Sequence, residues 1–303
     1  MISIIREREI IQEASQAISD NGFKSLPVDP KQIAKASKIE LMPWKPDKLG
    51  VSGFLMRAGE DFGIGYSTAI ENEGFINFTI AHELGHYFLS GHVEAVIGYS
   101  DGIHYSASGF ISNDLHEREA DAFAAELLMP QPFFKAALVQ AGTGFNAIHS
   151  LAEAGRTSIV ATAIRFAKLA DDPVAVVLTD GANIEWCFLS PELRACRGVF
   201  PLGKRSILPP ASTTAKFNHD RTRVEHGEQA QGFCSLRDWF ENAPDLEIKE
   251  DVVGLGHYGK TLTVLFTDEV PSEDDHDEGE EEDMVTSLPS SRWRARDQRR
   301  VDG

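Results

Sequence analysis

Cysteine is scarce in this chain. Three residues in 303, Cys187, Cys196 and Cys234, are too few and too odd in number for a disulfide-stapled scaffold, and they include no CxxC pair. They read as structural side chains in a reducing compartment. Long apolar runs are missing as well. No stretch approaches the roughly 20 uncharged apolar residues that a membrane-spanning helix needs, and the opening segment, with Arg6, Glu7, Arg8 and Glu9, lacks the apolar centre of a signal peptide. The expectation is a cytoplasmic protein with no membrane partner. Positive charge is in deficit, 29 Lys and Arg against 47 Asp and Glu for a net charge of -18, so direct DNA binding is not expected.

The deficit is uneven. Residues 271–283 (PSEDDHDEGEEED) hold nine acids and no Lys or Arg, so half of the net charge sits on this one run. The chain then turns basic at Arg292, Arg294, Arg296, Arg299 and Arg300. Both runs lack the apolar content to fold, and 271–303 reads as a solvated, disordered tail. The alternative is a segment that screens or recruits a partner.

The remainder, in a chain of 42% hydrophobic and 25% charged residues, can bury a core and is long enough for roughly two domains of about 150 residues. Helical spacing over Ile10–Ile18 ends near Gly22, and Pro27–Ala36 reads as a short helix that Asp29 caps and Pro30 starts. Strand-like pieces LMPW, SGFLM and FGIGY follow, with Ala58-Gly59-Glu60-Asp61 as a hairpin turn. Phe75–Ser90 is apolar at Ile76, Ile80, Leu84 and Phe88 and stops at Gly91, as a helix would. A further helix, Leu115–Met129, ends at Pro130. Residues 133–170 are helical, and LAEAGRTSIVATAIRFAKLA has a helix-turn-helix shape. From Pro173 the period shortens to strand pairs around Asp180-Gly181 and Tyr258-Gly259. No internal repeat is present.

Chemistry concentrates in His82-Glu83-Leu84-Gly85-His86. Residues four apart share a helix face, so His82 and His86 can present two imidazoles to one ion, with Glu83 close enough to handle a water on it. The flanking Thr79, Ile80, Ala81, Tyr87 and Phe88 are uncharged, as a helix beneath a cleft requires and two surface histidines would not. A catalytic zinc takes three protein ligands, so a third is needed. His92 has the spacing of the metzincin signature HExxHxxGxxH, but Leu89 occupies its glycine position and Gly91 comes two residues late. Glu117, in Glu117-Arg118-Glu119-Ala120-Asp121, has the ExxxD form of thermolysin-like enzymes, in which Asp121 would accept a hydrogen bond from a ligand histidine and fix its tautomer. Glu117 is the favoured ligand. Glu119, placed elsewhere on the helix without such a partner, and His92 are the alternatives.

The runs FTIAHELGH and EREADAFAAELLMP resemble the ImmA/IrrE family of metallopeptidases over roughly residues 25–135, and more loosely to 170. The resemblance implies an α+β protein: a thermolysin-like zincin domain (1–135), a helix-turn-helix-like helical segment (136–170) and a C-terminal α/β or mostly β domain that could serve as a sensor (171–270). It further implies His82, His86 and Glu117 as ligands of one zinc ion, with manganese as an alternative, Glu83 as catalytic base and Asp121, where the family commonly has Asn, as support for a ligand. The implied substrate is a helix-turn-helix transcriptional repressor, cleaved to switch on stress-response or mobile-element genes. A transition-state stabiliser across the cleft is still required, and Tyr105, His104 and His92 are the candidates. The competing readings are a non-proteolytic transcriptional regulator and an antitoxin-like binding protein, each keeping the metal site for folding.

Overall fold

A computed structural model describes residues 2–45, 50–107 and 114–267; the charged tail lies outside the described residues. Helix α1 (Ile4–Asp20) starts where the Ser3 side chain accepts from the Arg6 amide, and its buried Ile10, Ala14, Ala17 and Ile18 form one apolar stripe. In α2 (Pro30–Ala36) Asp29 caps Lys31 N and Pro30 opens the first turn, as expected, although the helix begins three residues later than the apolar pattern suggested. Strands β1 (Glu40–Trp44), β2 (Val51–Ala58) and β3 (Asp61–Ser67) follow. The expected turn closes the β2–β3 hairpin, with Ala58 opposite Asp61 and Gly59 at a φ of 65°.

Helix α3 (Glu73–Phe88) is capped by Asn72, and a short helix α4 (His92–Val96) follows the left-handed Gly91. The next segment, β4 (Gly102–Ala107), carried no strand signal in the sequence reading. It pairs antiparallel with β2 and completes a sheet of order β1-β3-β2-β4, with β1 and β3 parallel. One face of that sheet packs on α3. The other side of α3 lies on α5 (Leu115–Leu128), where the approach is closest at Gly85: a β-carbon there would stand 3.0 Å from the Ala120 Cα and 3.2 Å from its carbonyl oxygen.

Helices α6 (Gln131–Ala141), α7 (Gly144–Gly155) and α8 (Ile159–Leu169) supply the expected helical segment. The α7–α8 turn is held against the start of α3: Asn77 Nδ2 donates to the Arg156 carbonyl at 3.1 Å, and a β-carbon on Gly74 would strike Ser158 N at 2.4 Å. Of the basic residues in this segment, Arg165 is committed to Glu126 and to the Met129 carbonyl, and Lys168, whose ammonium sits 5.7 Å from the Phe188 ring centre, is the one exposed residue of α8.

Strands β5 (Val174–Asp180), β6 (Asn183–Leu189), β7 (Gln229–Ser235), β8 (Glu247–Gly254) and β9 (Thr261–Phe266) form one antiparallel sheet of order β6-β5-β9-β8-β7. Both expected hairpins are present, and β7 joins them as an edge. Val174, Val176, Leu178, Leu262, Val264 and Phe266 enter the same apolar core as Ile10, Ile80, Leu84, Phe123 and Ile148. Ala175, Val177, Ile248 and Leu265 face a second core with Leu193, Trp239 and Phe240. Burial on both faces explains why VAVVL reads as an unbroken apolar run rather than an alternating one. Asp251 on β8 caps α7, accepting from Phe145 N at 2.9 Å.

Cys187, Cys196 and Cys234 are free and pack against the second core. Burial pushes Cys187 up to about 11, and burial with the Glu250 carboxylate pushes Cys234 up to about 12. At pH 8 the native protein is therefore expected to react with a disulfide reagent far more slowly than the unfolded chain, which should titrate three thiols, because the thiolate is the reactive form. The α3–α5 contact yields a second expectation. Gly85→Leu must push the helices apart and should lower unfolding stability by about 1–3 kcal/mol, the usual cost of overpacking, read as a lower urea midpoint.

Candidate metal centre

Successive turns of α3 carry His82 and His86 on the side facing α5, and both are buried. Their Nε2 atoms lie 3.2 Å apart. Glu117, in the first turn of α5, brings Oε2 to 3.4 Å from His82 Nε2 and Oε1 to 3.3 Å from His86 Nε2. Among the described residues these three side chains form a cluster whose ligating atoms all lie within 4.8 Å of one another. His92 and Glu119, the alternative third ligands, are not part of it.

Asp121 stands one turn beyond Glu117, and its Oδ1 lies 2.9 Å from His82 Nδ1. An ionised carboxylate only accepts, so His82 donates from Nδ1, and Nε2 is the nitrogen it turns toward the cluster. Burial alone would lower the His82 pKa; the hydrogen bonds to Asp121 and Glu117 overcome it and raise the pKa to about 10. His86 is lowered to about 4, first by burial and then by the neighbouring His82, against the opposing pull of Glu117. Glu117, although burial works the other way, is held well below the usual carboxylate range by the imidazoles of His104, His82 and His86 that face it. The cluster thus favours an ionised carboxylate and a neutral His86, the forms in which both side chains ligate a cation, while His82 holds a proton that a bound cation would displace.

Glu83 differs from all of these. It is 0% exposed, and among the described residues neither carboxylate oxygen meets a partner at ordinary hydrogen-bond geometry, the Ser106 hydroxyl being a polar group close by. Burial raises it to about 7 against the opposing charge of His82. Strand β2 comes this close to α3 because position 53 is glycine: a β-carbon there would meet Thr79 Cγ2 at 2.5 Å, the Gly65 carbonyl at 2.8 Å and Glu83 Oε1 at 3.0 Å. A buried carboxylate without partners is costly. Its position beside three converging donors fits a group that handles a water at a metal ion.

Of the three candidates for the far side of the cleft, His104 and Tyr105 are neighbours on β4 and separate by strand parity, while His92 lies on α4. His104 faces α3: its Nε2 is 2.8 Å from Glu117 Oε1 and its ring centre 4.8 Å from that of His86. Tyr105 points to the opposite face of the sheet and packs on Phe54 and Trp44, with ring centres 5.6 and 6.3 Å away. It does not face the cluster. His92 is 1% exposed and sits behind His86, its Nδ1 3.2 Å from His86 Nδ1, outside the three-residue cluster. Glu119, which lacks the Glu117–Asp121 arrangement, meets His92 Nε2 at 2.9 Å and Arg6 Nε at 2.8 Å. Arg6 carried no signal in the sequence, since it is 113 positions from Glu119.

The fold has a counterpart in a solved structure of a Mycobacterium tuberculosis transcriptional regulator, with a TM-score of 0.53 over 85% of this chain and 76% of that one at 14% sequence identity. No curated protein matches the sequence. Residues 75–166, which span α3 with His82, Glu83 and His86 through α5 with Glu117 and Asp121 to most of α8, match Peptidase_M78, the IrrE N-terminal-like domain. The segment that holds the cluster is thus similar to the IrrE N-terminal-like domain.

Proposed function

We propose that this protein is a zinc-dependent endopeptidase of the thermolysin-like zincin type, acting in the cytoplasm on a helix-turn-helix transcriptional repressor. The observation that carries the reading is the convergence of His82, His86 and Glu117 beside the unpartnered carboxylate of Glu83. Tetrahedral zinc with bonds of about 2.0–2.1 Å separates its ligand atoms by about 3.3–3.4 Å. The two imidazole nitrogens stand 3.2 Å apart, close to that requirement, and Glu117 brings one carboxylate oxygen to 3.3 Å from His86 and the other to 3.4 Å from His82. Nitrogen and carboxylate donors suit zinc above manganese on affinity. Structural zinc sites close with four protein ligands and catalytic ones use three, so the donor count favours the enzyme over a regulator or antitoxin-like protein that keeps a metal for folding.

When bound, zinc would lower the pKa of a water in the remaining position to about 7 and polarise the scissile carbonyl. Glu83 accepts the proton of the attacking water and returns it to the leaving amine, a transfer suited to a pKa near 7. His104 is the one of the three candidates that faces the cluster, and it donates to the carbonyl oxygen as negative charge develops there. Strand β4 pairs with β2 on one side only among the described residues, so its other edge can take the substrate as an added strand beside the metal. The α7–α8 pair, packed against α3, supports the catalytic part (1–135) rather than reading DNA, and the sheet over 171–270 is the part that receives a signal. The regulatory setting is supported by the family and by the description of the structural neighbour as a transcriptional regulator.

Glu117→Ala, which leaves two protein donors, should empty the site in metal analysis, and Asp121→Ala should weaken zinc binding by about 10–100-fold in a chelator competition. Glu83→Gln should keep one zinc per chain yet lose repressor cleavage by at least about 10²-fold. His104→Ala should lower kcat by about 10²–10³-fold. Both rates are read by mass spectrometry of a candidate repressor encoded beside this gene. Cleavage at the wild-type rate by Glu83→Gln would falsify the mechanism.

A further inference from the structure

The ligand His82 is oriented by a carboxylate directly. His86 has no acid against its Nδ1 and meets a second imidazole there instead. From His86 a chain of contacts runs away from the cleft. His86 Nδ1 lies 3.2 Å from His92 Nδ1, His92 Nε2 lies 2.9 Å from Glu119 Oε2, and the same oxygen takes Arg6 Nε at 2.8 Å. Arg6 also reaches Glu9 Oε2 at 3.0 Å and the Ser90 carbonyl at 3.4 Å. Four elements contribute: α1 gives Arg6, α3 gives His86, α4 gives His92 and α5 gives Glu119.

The proton positions along this chain follow from one end. Arg6 is a donor only and keeps Glu119 ionised, so Glu119 accepts from both neighbours. His92 must therefore carry its proton on Nε2. In a neutral imidazole that leaves Nδ1 as the acceptor, and among the described residues the hydrogen-bond neighbour it faces is His86 Nδ1, which must donate. His86 then has no choice of tautomer: its lone pair is on Nε2, the atom 3.2 Å from His82 Nε2 and 3.3 Å from Glu117 Oε1. We propose that Arg6, Glu119 and His92 act as a positioning relay that locks His86 in its metal-binding tautomer from outside the cleft. The proposal rests on the reading of His82, His86 and Glu117 as zinc ligands. It gives His92, at the metzincin spacing, a role one bond removed from the metal.

The substitutions that test it keep volume and change hydrogen bonding. Gln at position 92 can accept from His86 with its oxygen and donate to Glu119 with its amide; Phe can do neither. In the full-length protein, zinc affinity measured against a chromophoric chelator should fall about 10–100-fold in His92→Phe, the range for loss of a partner behind a metal-bound histidine, and should be largely restored in His92→Gln. Arg6→Met, at a partly exposed position on α1, should weaken zinc by severalfold without disturbing the helix content of the metal-free protein. Histidine tautomers in the wild-type zinc protein, read by long-range proton–nitrogen correlation, should show His92 protonated on Nε2 and His86 on Nδ1. Wild-type affinity in both His92→Phe and Arg6→Met, or His92 protonated on Nδ1 alone, overturns the relay. Failure of the zinc reading itself looks different: the wild type would then bind no stoichiometric zinc, or His86→Ala would bind it as tightly as the wild type.

Discussion

Where α3 crosses α5, the backbone of Ala120 fills the space that a side chain on residue 85 would need. That approach brings the first turn of α5 level with the last two turns of α3, and it sets the distance between Glu117 and the two imidazoles. A wider crossing would leave two histidines on one helix and a carboxylate on another, each with its own solvent. On the opposite side of α3, Gly53 lets β2 descend onto Thr79 and Glu83 in the same way. The helix is clamped between two surfaces, and at each contact one partner lacks a β-carbon: α3 itself at Gly85 and β2 at Gly53. This is how one segment comes to carry three buried ionisable groups in consecutive turns.

Burying that many ionisable groups requires compensation, and α5 supplies most of it. Three of its acids serve three different ends: Glu117 joins the cluster, Asp121 fixes His82, and Glu119 is turned toward His92 and Arg6. Glu83 is the exception: among the described residues no partner of ordinary hydrogen-bond geometry compensates it. A group held at that energetic disadvantage beside two metal-ligand candidates is what a base for an incoming water requires. The same carboxylate in an ordinary core would be a defect.

The parts of this arrangement that were legible in the sequence are those that depend on short spacing. His82 and His86 share a face because they are four apart, as do Glu117 and Asp121, and Asp29, Gly59 and Gly181 marked their cap and turns correctly. Tyr105 and His104 were inseparable because β4 had no alternating apolar signal, and without a strand there was no parity to send one toward the metal and the other toward Trp44. His92 was read by its distance from His82 along the chain, whereas its place is decided by α4 folding back behind His86. Arg6 and Glu119 meet only through the packing of α1 on α5, a contact that no local pattern encodes. Strand β7 was likewise hidden, since it shows only a half-buried alternation in a polar stretch.

The main apolar core passes from α1 through α3, α5 and α7 into the inner face of the second sheet without interruption. Asp251 of that sheet caps α7, and the turn after α7 is gripped by Asn77, little more than one helical turn before His82. Cooperativity follows from this continuity. The segment that carries the family's pattern and the strands that lie outside it draw on the same buried contacts, so the free energy that keeps the metal-site helix folded is not its own to set. Inheritance inside the family segment fixes which atoms meet, while the durability of that meeting is a property of the whole described chain.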